Sequence, residues 1–428
     1  MQEDLTERKQ KALDFLNSHL NAKLITALNS CVHCGLCGTS CQYYIALKEE
    51  KYMPAAKVDL VAGIYRRYHT FAGKVFPKLT GTHELDDETI DKMVDTLFGA
   101  CTMCGRCVAH CSVGVDIPFV VRTGRMMLQQ MGLVPKSIQS TVDAALNTGN
   151  NMAISKQDFI DTITWLNDDL QYEVNDDSAT IPLNQSGVKM LYTVNPREPK
   201  FFPLSISAIA KVFYLAKESW TLSTDYYDIT NYAYFVGDEE GARVITERLV
   251  NEAIKYGADT IILGECGHGS RAMRWEGPNW MKEKYPVKTI TAVELLAQYI
   301  RDGRIKPDKT KITDLVTIHD PCNLVRNGGV IEEQRYIVNA CCSNFVEMNP
   351  NREDNFCCGG GGGQLAMSEY NERRMKIGKI KADQIRATGA KIVVTPCHNC
   401  VDQLNSINLE YKLGVTIKTI AEIVADAL

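Results

Sequence analysis

A chain of 428 residues has room for two to four domains, and its 45% apolar and 23% charged residues are those of an ordinary globular protein. A formal net charge of −5 and a pI near 6.0 leave no basic footprint, so nucleic acid is excluded as an expected partner. The first thirty residues mix charges into a helical apolar pattern around Leu13, Leu16, Leu20 and Leu24, which is not an export signal. No apolar run reaches the roughly 18 residues of a membrane span. The outlying figure is sixteen cysteines. In a long chain without an export signal, cysteines in close groups point to metal or redox chemistry rather than to disulfides.

In chain order, the part up to about residue 145 reads as mostly helical. Lys57–Tyr68 and Val120–Leu133 have helical apolar spacing. A polar segment from Asn147 to about Gln185 reads as a connector with one short helix. From residue 188 the pattern changes to short apolar strands alternating with helices. Val188–Val194, Thr260–Leu263, Asp314–His319 and Lys391–Thr395 are expected as strands of a largely parallel sheet. An internal repeat organises this region. Asn251–Cys266 and Ala382–Cys397 each read as helix, Gly-Ala, then a strand ending in cysteine, and Val188–Pro196 echoes Asp314–Pro321. Two related α/β domains are therefore expected, over about 186–300 and 301–428.

The N-terminal part holds two motifs of the form C-x2-C-x2-C-x3-C: Cys31, Cys34, Cys37 and Cys41, then Cys101, Cys104, Cys107 and Cys111. A cubane [4Fe–4S] cluster needs thiolates at four iron corners, and two-residue spacing wraps three of them around one face. In the bacterial two-cluster arrangement the fourth cysteine serves the other cluster. The expected sets are Cys31, Cys34, Cys37 with Cys111, and Cys101, Cys104, Cys107 with Cys41. Gly35, Gly38 and Gly105 are expected to let the backbone approach the cluster sulfurs. A zinc ribbon is the rival, but zinc wants two separated pairs and has no use for a third cysteine at the next step, twice. The usual proline after the fourth cysteine is absent, Gln42 and Ser112 standing there, and the motifs lie seventy residues apart. That spacing resembles the all-helical ferredoxin domain of heterodisulfide reductases and succinate dehydrogenase iron–sulfur subunits.

A second constellation closes the chain: His319-Asp-Pro-Cys322, Cys357-Cys358 followed by five glycines, and Cys397-His-Asn-Cys400. The glycine run lacks the Gly-Lys-Ser/Thr ending of a phosphate loop, and a turn bringing backbone close to a cluster explains it better than a nucleotide does. His319 and His398 flank the cysteines and offer a proton or a hydrogen bond. Cys266 stands where Cys397 does in the earlier repeat, but Gly269 replaces the second cysteine of the pair. Cys266 is expected as a buried small hydrophobe, as are Cys341 and Cys342.

These residues resemble the cysteine-rich "CCG" domain of heterodisulfide reductase catalytic subunits. Carried over position by position, the resemblance implies a noncubane [4Fe–4S] cluster held by Cys322, Cys357, Cys358, Cys397 and Cys400, with His319 beside it. The whole chain resembles the HdrD-like, heterodisulfide-reductase-like and DsrK-type iron–sulfur proteins. The implied fold is an α+β multidomain chain. A helical ferredoxin domain (1–145) and a connector (146–185) precede a degenerate CCG-like α/β domain (186–300) and an intact one (301–428). The implied activity passes electrons through two cubane clusters to the noncubane site, where a disulfide or trisulfide, carried on a small molecule or a small protein, is reduced or formed. The implied partner is a membrane cytochrome b-like, quinone-reactive protein, with this chain in the cytoplasm on the inner face of the membrane. The rival of the same cofactor class is a pure electron conduit, like the iron–sulfur subunit of glycolate or lactate oxidases.

Overall fold

The structure is a computed structural model that describes residues 5–282 and 285–428. Residues 1–4, with which the expected N-terminal domain opens, lie outside that range. The chain divides into two compact units. The first is built from residues up to Gln139 together with Ala233–Glu239 and Gly359–Ile380; the second comprises Ser140–Tyr232, Glu240–Cys358 and Lys381–Leu428.

The first unit is helical, with no strand among its described residues. Its axis is the helix Ile117–Gln130, which Asp116 caps by accepting the Phe119 N–H and which carries Pro118 in its first turn. Val120, Val121, Met127 and Leu128 on this helix are fully buried because the helices Leu5–Ser18 and Pro54–His69 both pack against it. Gly124 permits that approach: a Cβ there would stand 2.5 Å from Leu97 and 3.0 Å from Val61.

The second unit holds two four-stranded parallel sheets. In the first, β1 (Met190–Tyr192), β2 (Trp220–Thr221), β3 (Thr260–Leu263) and β4 (Lys288–Thr291) lie in the order β2-β1-β3-β4. In the second, β5 (Leu315–Ile318), β6 (Asn344–Val346), β7 (Ile392–Val394) and β8 (Thr416–Lys418) lie in the order β6-β5-β7-β8. The order is the same in both. Each sheet's last strand also runs into a helix opened by a capping box, Thr291 with Glu294 and Thr419 with Glu422. One apolar core, including Ile206, Phe213 and Leu296 from the first half and Ile318, Val338 and Val424 from the second, joins the two.

The polar segment departs from expectation. Lys156–Val174 forms a nineteen-residue helix, capped by Ser155 on the Asp158 N–H, rather than one short helix in a connector. Four apolar residues at helical spacing, Phe159, Ile163, Leu166 and Leu170, are fully buried on it, and that stripe is sparse enough to be masked by the polar residues around it.

Candidate functional site

In the first unit the two cysteine motifs repeat each other's backbone. His33 and Met103 both have φ of 53°, and Gly35 (81°) and Gly105 (78°) follow the second cysteine of each motif in the left-handed region. Each glycine then opens a short helix, Leu36–Ser40 or Arg106–Ala109. Gly38 plays a different part: it has ordinary backbone, and a Cβ on it would press on the Tyr44 ring at 3.1 Å. The two short helices pack on one another, and Arg106 donates to the Ser40 carbonyl at 2.9 Å.

That pairing brings the motifs together crosswise. Cys31, Cys34, Cys37 and Cys111 line one cavity. Cys107 shares its surroundings with Cys104, Cys41 and Cys101, and its thiol is pushed well up by desolvation and then by those neighbours. Four cysteines gathered in this way suit iron–sulfur binding. Cys34 is exposed; its thiol is held down by the Leu36 N–H and the Ser112 hydroxyl.

Two buried cations stand beside the second motif. Arg125, fully buried, donates to the carbonyls of Leu97 (3.0 Å), Phe235 (2.7 Å), Gly362 (2.8 Å) and Cys101 (2.8 Å). Lys57, also buried, donates to the Ala100 carbonyl. Their positive charge suits a site that gathers thiolates. Neither residue was singled out from sequence, because a lone Lys or Arg in a helical pattern carries no local signal of burial.

In the second unit the C-terminal cysteines converge. Cys322 follows β5, Cys357 and Cys358 lie in the loop after β6, and Cys397 follows β7 at the head of the helix His398–Glu410. All come from the carboxyl ends of parallel strands, where open α/β sheets bind ligands. The five thiols are buried and free of disulfides. Cys358 and Cys400 sulfurs lie 3.4 Å apart, and those of Cys322 and Cys357 lie 4.0 Å apart. One His319 ring nitrogen and the Cys358 and Cys400 sulfurs all lie within 4.8 Å of one another. His319 is 1% exposed, and neither of its ring nitrogens meets a protein hydrogen-bond partner among the described residues. A buried imidazole left open toward a group of thiols suits a bound cluster and its ligand.

The surroundings fix this set. Asp320 receives the Arg335 guanidinium on both oxygens (2.9 and 3.0 Å) and the Arg352 N–H at 2.7 Å, which anchors the His319–Cys322 turn. Cys397 is held below the ordinary thiol range by hydrogen bonds from Cys400 and then from the Gly267 N–H (3.4 Å). Lys381 is fully buried, and burial pushes it down to about 8, while Asp320, Cys358, Cys357 and Cys400 act in the opposite sense. Desolvation, reinforced by Lys381, holds His319 well below its usual value, so its imidazole is neutral at pH 7. Lys381, like Arg125, gave no sequence signal.

The first sheet's half contributes a wall. Glu265 accepts the Ile420 N–H at 2.8 Å, and its carbonyl accepts the His398 N–H at 2.8 Å. Asn195 and Arg197 donate to the Asn399 side chain at 3.3 and 3.1 Å. His398 is fully buried there, its Nδ1 3.4 Å from the Glu198 carboxyl. Cys341 and Cys342 sit in the apolar core as expected. Cys266 is buried as expected, but it is not merely a hydrophobe. Its sulfur accepts from Asn195 (3.4 Å) and the Gly269 N–H (3.5 Å), and burial first, then Cys397, raises its thiol.

A family model for a 4Fe-4S dicluster domain matches residues 27–115, and one for the cysteine-rich CCG domain matches residues 316–405. The Hdr-like menaquinol oxidoreductase iron–sulfur subunit 2 of Archaeoglobus fulgidus is 28% identical across 97% of this chain and 82% of its own. The HdrD protein of the dihydromethanophenazine:CoB–CoM heterodisulfide reductase of Methanosarcina barkeri is 26% identical across 96% of both chains. An EtfAB:quinone oxidoreductase of Syntrophomonas wolfei is 24% identical across 88% of this chain and 54% of its own. Two cysteine motifs in a helical unit, joined to a CCG-matching sheet, define the class: an iron–sulfur oxidoreductase of the heterodisulfide-reductase-like kind. Within that class the chain is an HdrD-like iron–sulfur protein, carrying the ferredoxin-type and CCG parts in one polypeptide.

Proposed function

We infer that this chain binds two cubane [4Fe–4S] clusters and one noncubane [4Fe–4S] cluster and reduces, or in reverse forms, a disulfide or trisulfide. Cys31, Cys34, Cys37 and Cys111 would hold one cubane, and Cys101, Cys104, Cys107 and Cys41 the other. Cys322, Cys357, Cys358, Cys397 and Cys400 would hold the noncubane cluster. The observation that carries the reading is the gathering of five buried thiols, two of which, Cys358 and Cys400, stand within 4.8 Å of a His319 ring nitrogen that meets no protein hydrogen-bond partner among the described residues.

When bound, the clusters supply one-electron transfer and iron able to take a substrate sulfur. The chain's own residues do the rest. Burial of the cysteines excludes water. A neutral His319 orients a sulfur through one N–H. Lys381 offsets negative charge as it accumulates, and Gly267 and Asn399 fix the Cys397 turn. Cleaving one sulfur–sulfur bond consumes two electrons and two protons and yields two thiols from a disulfide, or a thiol and a persulfide from a trisulfide, so electrons arriving singly must be gathered at one place. The exposure of Cys34 supports entry of electrons from a redox partner at the first cubane. Within the helical unit Arg125 holds the Cys101 and Gly362 carbonyls together beside the second motif.

The parts are then a helical ferredoxin domain (1–145), a segment (146–185) whose helix Lys156–Val174 packs into the core of the second unit, a degenerate α/β domain (186–300) and an intact CCG domain (301–428). The shared strand order and paired capping boxes support that division. A quinone-reactive, cytochrome b-like membrane partner and a place on the inner membrane face fit the menaquinol oxidoreductase name of the Archaeoglobus relative. The test is oxidation of reduced benzyl viologen by small disulfides and trisulfides. Turnover that Cys357→Ser lowers at least 100-fold, with the ferredoxin-type clusters still reducible, supports the reading.

A second reading has one observation in its favour. Similarity to an EtfAB:quinone oxidoreductase suits a conduit between a flavoprotein and a quinone, with the C-terminal site structural. No sulfur–sulfur substrate would then drive viologen oxidation.

A further inference from the structure

The helix Pro54–His69 ends at Thr70, and the next nine residues fold back as a short turn of helix, Phe71–Val75, followed by a bend through Pro77–Leu79. The turn is built firmly. Thr70 accepts the Gly73 N–H at 3.0 Å, and the Phe76 N–H reaches the Ala72 carbonyl at 2.8 Å. Gly73 lies so close to the preceding helix that a Cβ on it would stand 1.9 Å from the Arg66 carbonyl oxygen. Yet this ordered segment turns its largest apolar side chains outward. Phe71 is 81%, Val75 49%, Phe76 54% and Leu79 85% exposed. No other nine-residue stretch of the described residues exposes more than two large apolar side chains.

The charges around them have one sign. Between Asp59 and Glu84 there is no acidic residue, while Arg66, Arg67, Lys74 and Lys78 fall in that interval in a chain whose net charge is −5. Arg67 is matched by Glu84, whereas Lys74 and Lys78 are exposed and carry no ion pair among the described residues. Four outward apolar residues are far fewer than the roughly 20–30 residues a side of a stable protein interface. Aromatic and leucine side chains interleaved with lysines are what an anionic lipid surface takes up: the apolar tips enter the headgroup boundary and the ammonium groups meet lipid phosphates.

We propose that residues 71–79 are a docking wedge for an anionic lipid bilayer, which holds the helical unit at a membrane surface. This deepens the membrane-side placement proposed above and is independent of the disulfide chemistry, which a vesicle assay does not touch. The experiment is anaerobic co-sedimentation of the cluster-loaded full chain with vesicles of phosphatidylcholine containing about one-third phosphatidylglycerol. Pure phosphatidylcholine vesicles and raised salt serve as the two controls. The proposal expects binding to the anionic vesicles, weakened at least ten-fold in Phe71→Ser/Leu79→Ser. Replacing lysines should cost about five-fold each, so roughly 25-fold in Lys74→Gln/Lys78→Gln, with iron content unchanged in both variants. Wild-type protein that ignores anionic vesicles, or variants that bind as well as it does, would overturn the proposal. So would a wild type that ignores lipid but needs Phe71 and Leu79 to bind a purified membrane protein of the complex, since the occupant would then be a protein.

Discussion

At the scale of single residues, the C-terminal site is defined as much by what surrounds the cysteines as by the cysteines. Lys381 is the clearest case. A fully buried ammonium costs several kcal/mol unless negative charge faces it. Here the charges that oppose its desolvation are Asp320 and the thiols of Cys358, Cys357 and Cys400. Replacing it with methionine keeps the shape, removes the desolvation cost and leaves those sulfurs without their cation. Lys381→Met should therefore fold and retain iron, while the potential of the C-terminal cluster moves negative by about 60–120 mV, one or two tenfold steps in a one-electron equilibrium. A redox titration followed by electron paramagnetic resonance reads this directly. An unchanged potential would mean that Lys381 is only a packed stem. The cysteines themselves were legible because ligand spacing is a local property of the sequence. Lys381, Arg125 and Lys57 were not, because nothing within a few residues of each marks it as buried.

At the scale of elements, legibility followed apolarity. The expected strand Thr260–Leu263 coincides with β3, and Lys391–Thr395 contains β7. Polar side chains such as Lys288, Thr289, Asn344, Thr416 and Lys418 interrupt β4, β6 and β8, and β2 has only two residues, so no apolar run announces them. The helix Lys156–Val174 was underestimated for the reason given above: its buried stripe is one residue wide. The turn before that helix is held to the first sheet by Asp228, which accepts the Asn151 N–H (2.7 Å), the Asn151 side-chain amide (2.8 Å) and the Thr230 N–H (2.6 Å). Burial pushes this carboxyl up to about 7 in spite of those donors. Its folded pKa is thus above the unfolded value of 3.8, so the folded state holds the proton more tightly. Its stabilising share is complete below pH ~4, is lost as the pH climbs to about 7, and is constant beyond that. Between pH 5 and 8 the loss should be on the order of 2–3 kcal/mol in denaturant unfolding. Asp228→Asn should be less stable at pH 5, where its amide faces the Thr230 N–H, and should lack that share of the slope. An equal slope in both proteins would show that Asp228 is ionised in the fold throughout.

At the scale of the whole molecule, the two compact units carry separate cysteine sets. In the first, crosswise pairing was legible from the motif spacing, and the short helices that open at Gly35 and Gly105 give it a physical basis. In the second, the internal repeat was legible from Asn251–Cys266 and Ala382–Cys397. The use of the first half as a wall was not, because Asn195, Arg197, Glu265 and Gly267 act on residues more than 120 positions away. The central claim is that the C-terminal thiols hold a third cluster that takes a substrate sulfur. The most direct measurement is anaerobic iron quantification with electron paramagnetic resonance, before and after candidate thiols are added to the oxidised protein. The account predicts about twelve irons, for three four-iron clusters, and a thiol-dependent signal that disappears in Cys357→Ser. About eight irons and no response to thiols would contradict it, leaving two cubane clusters and an electron conduit.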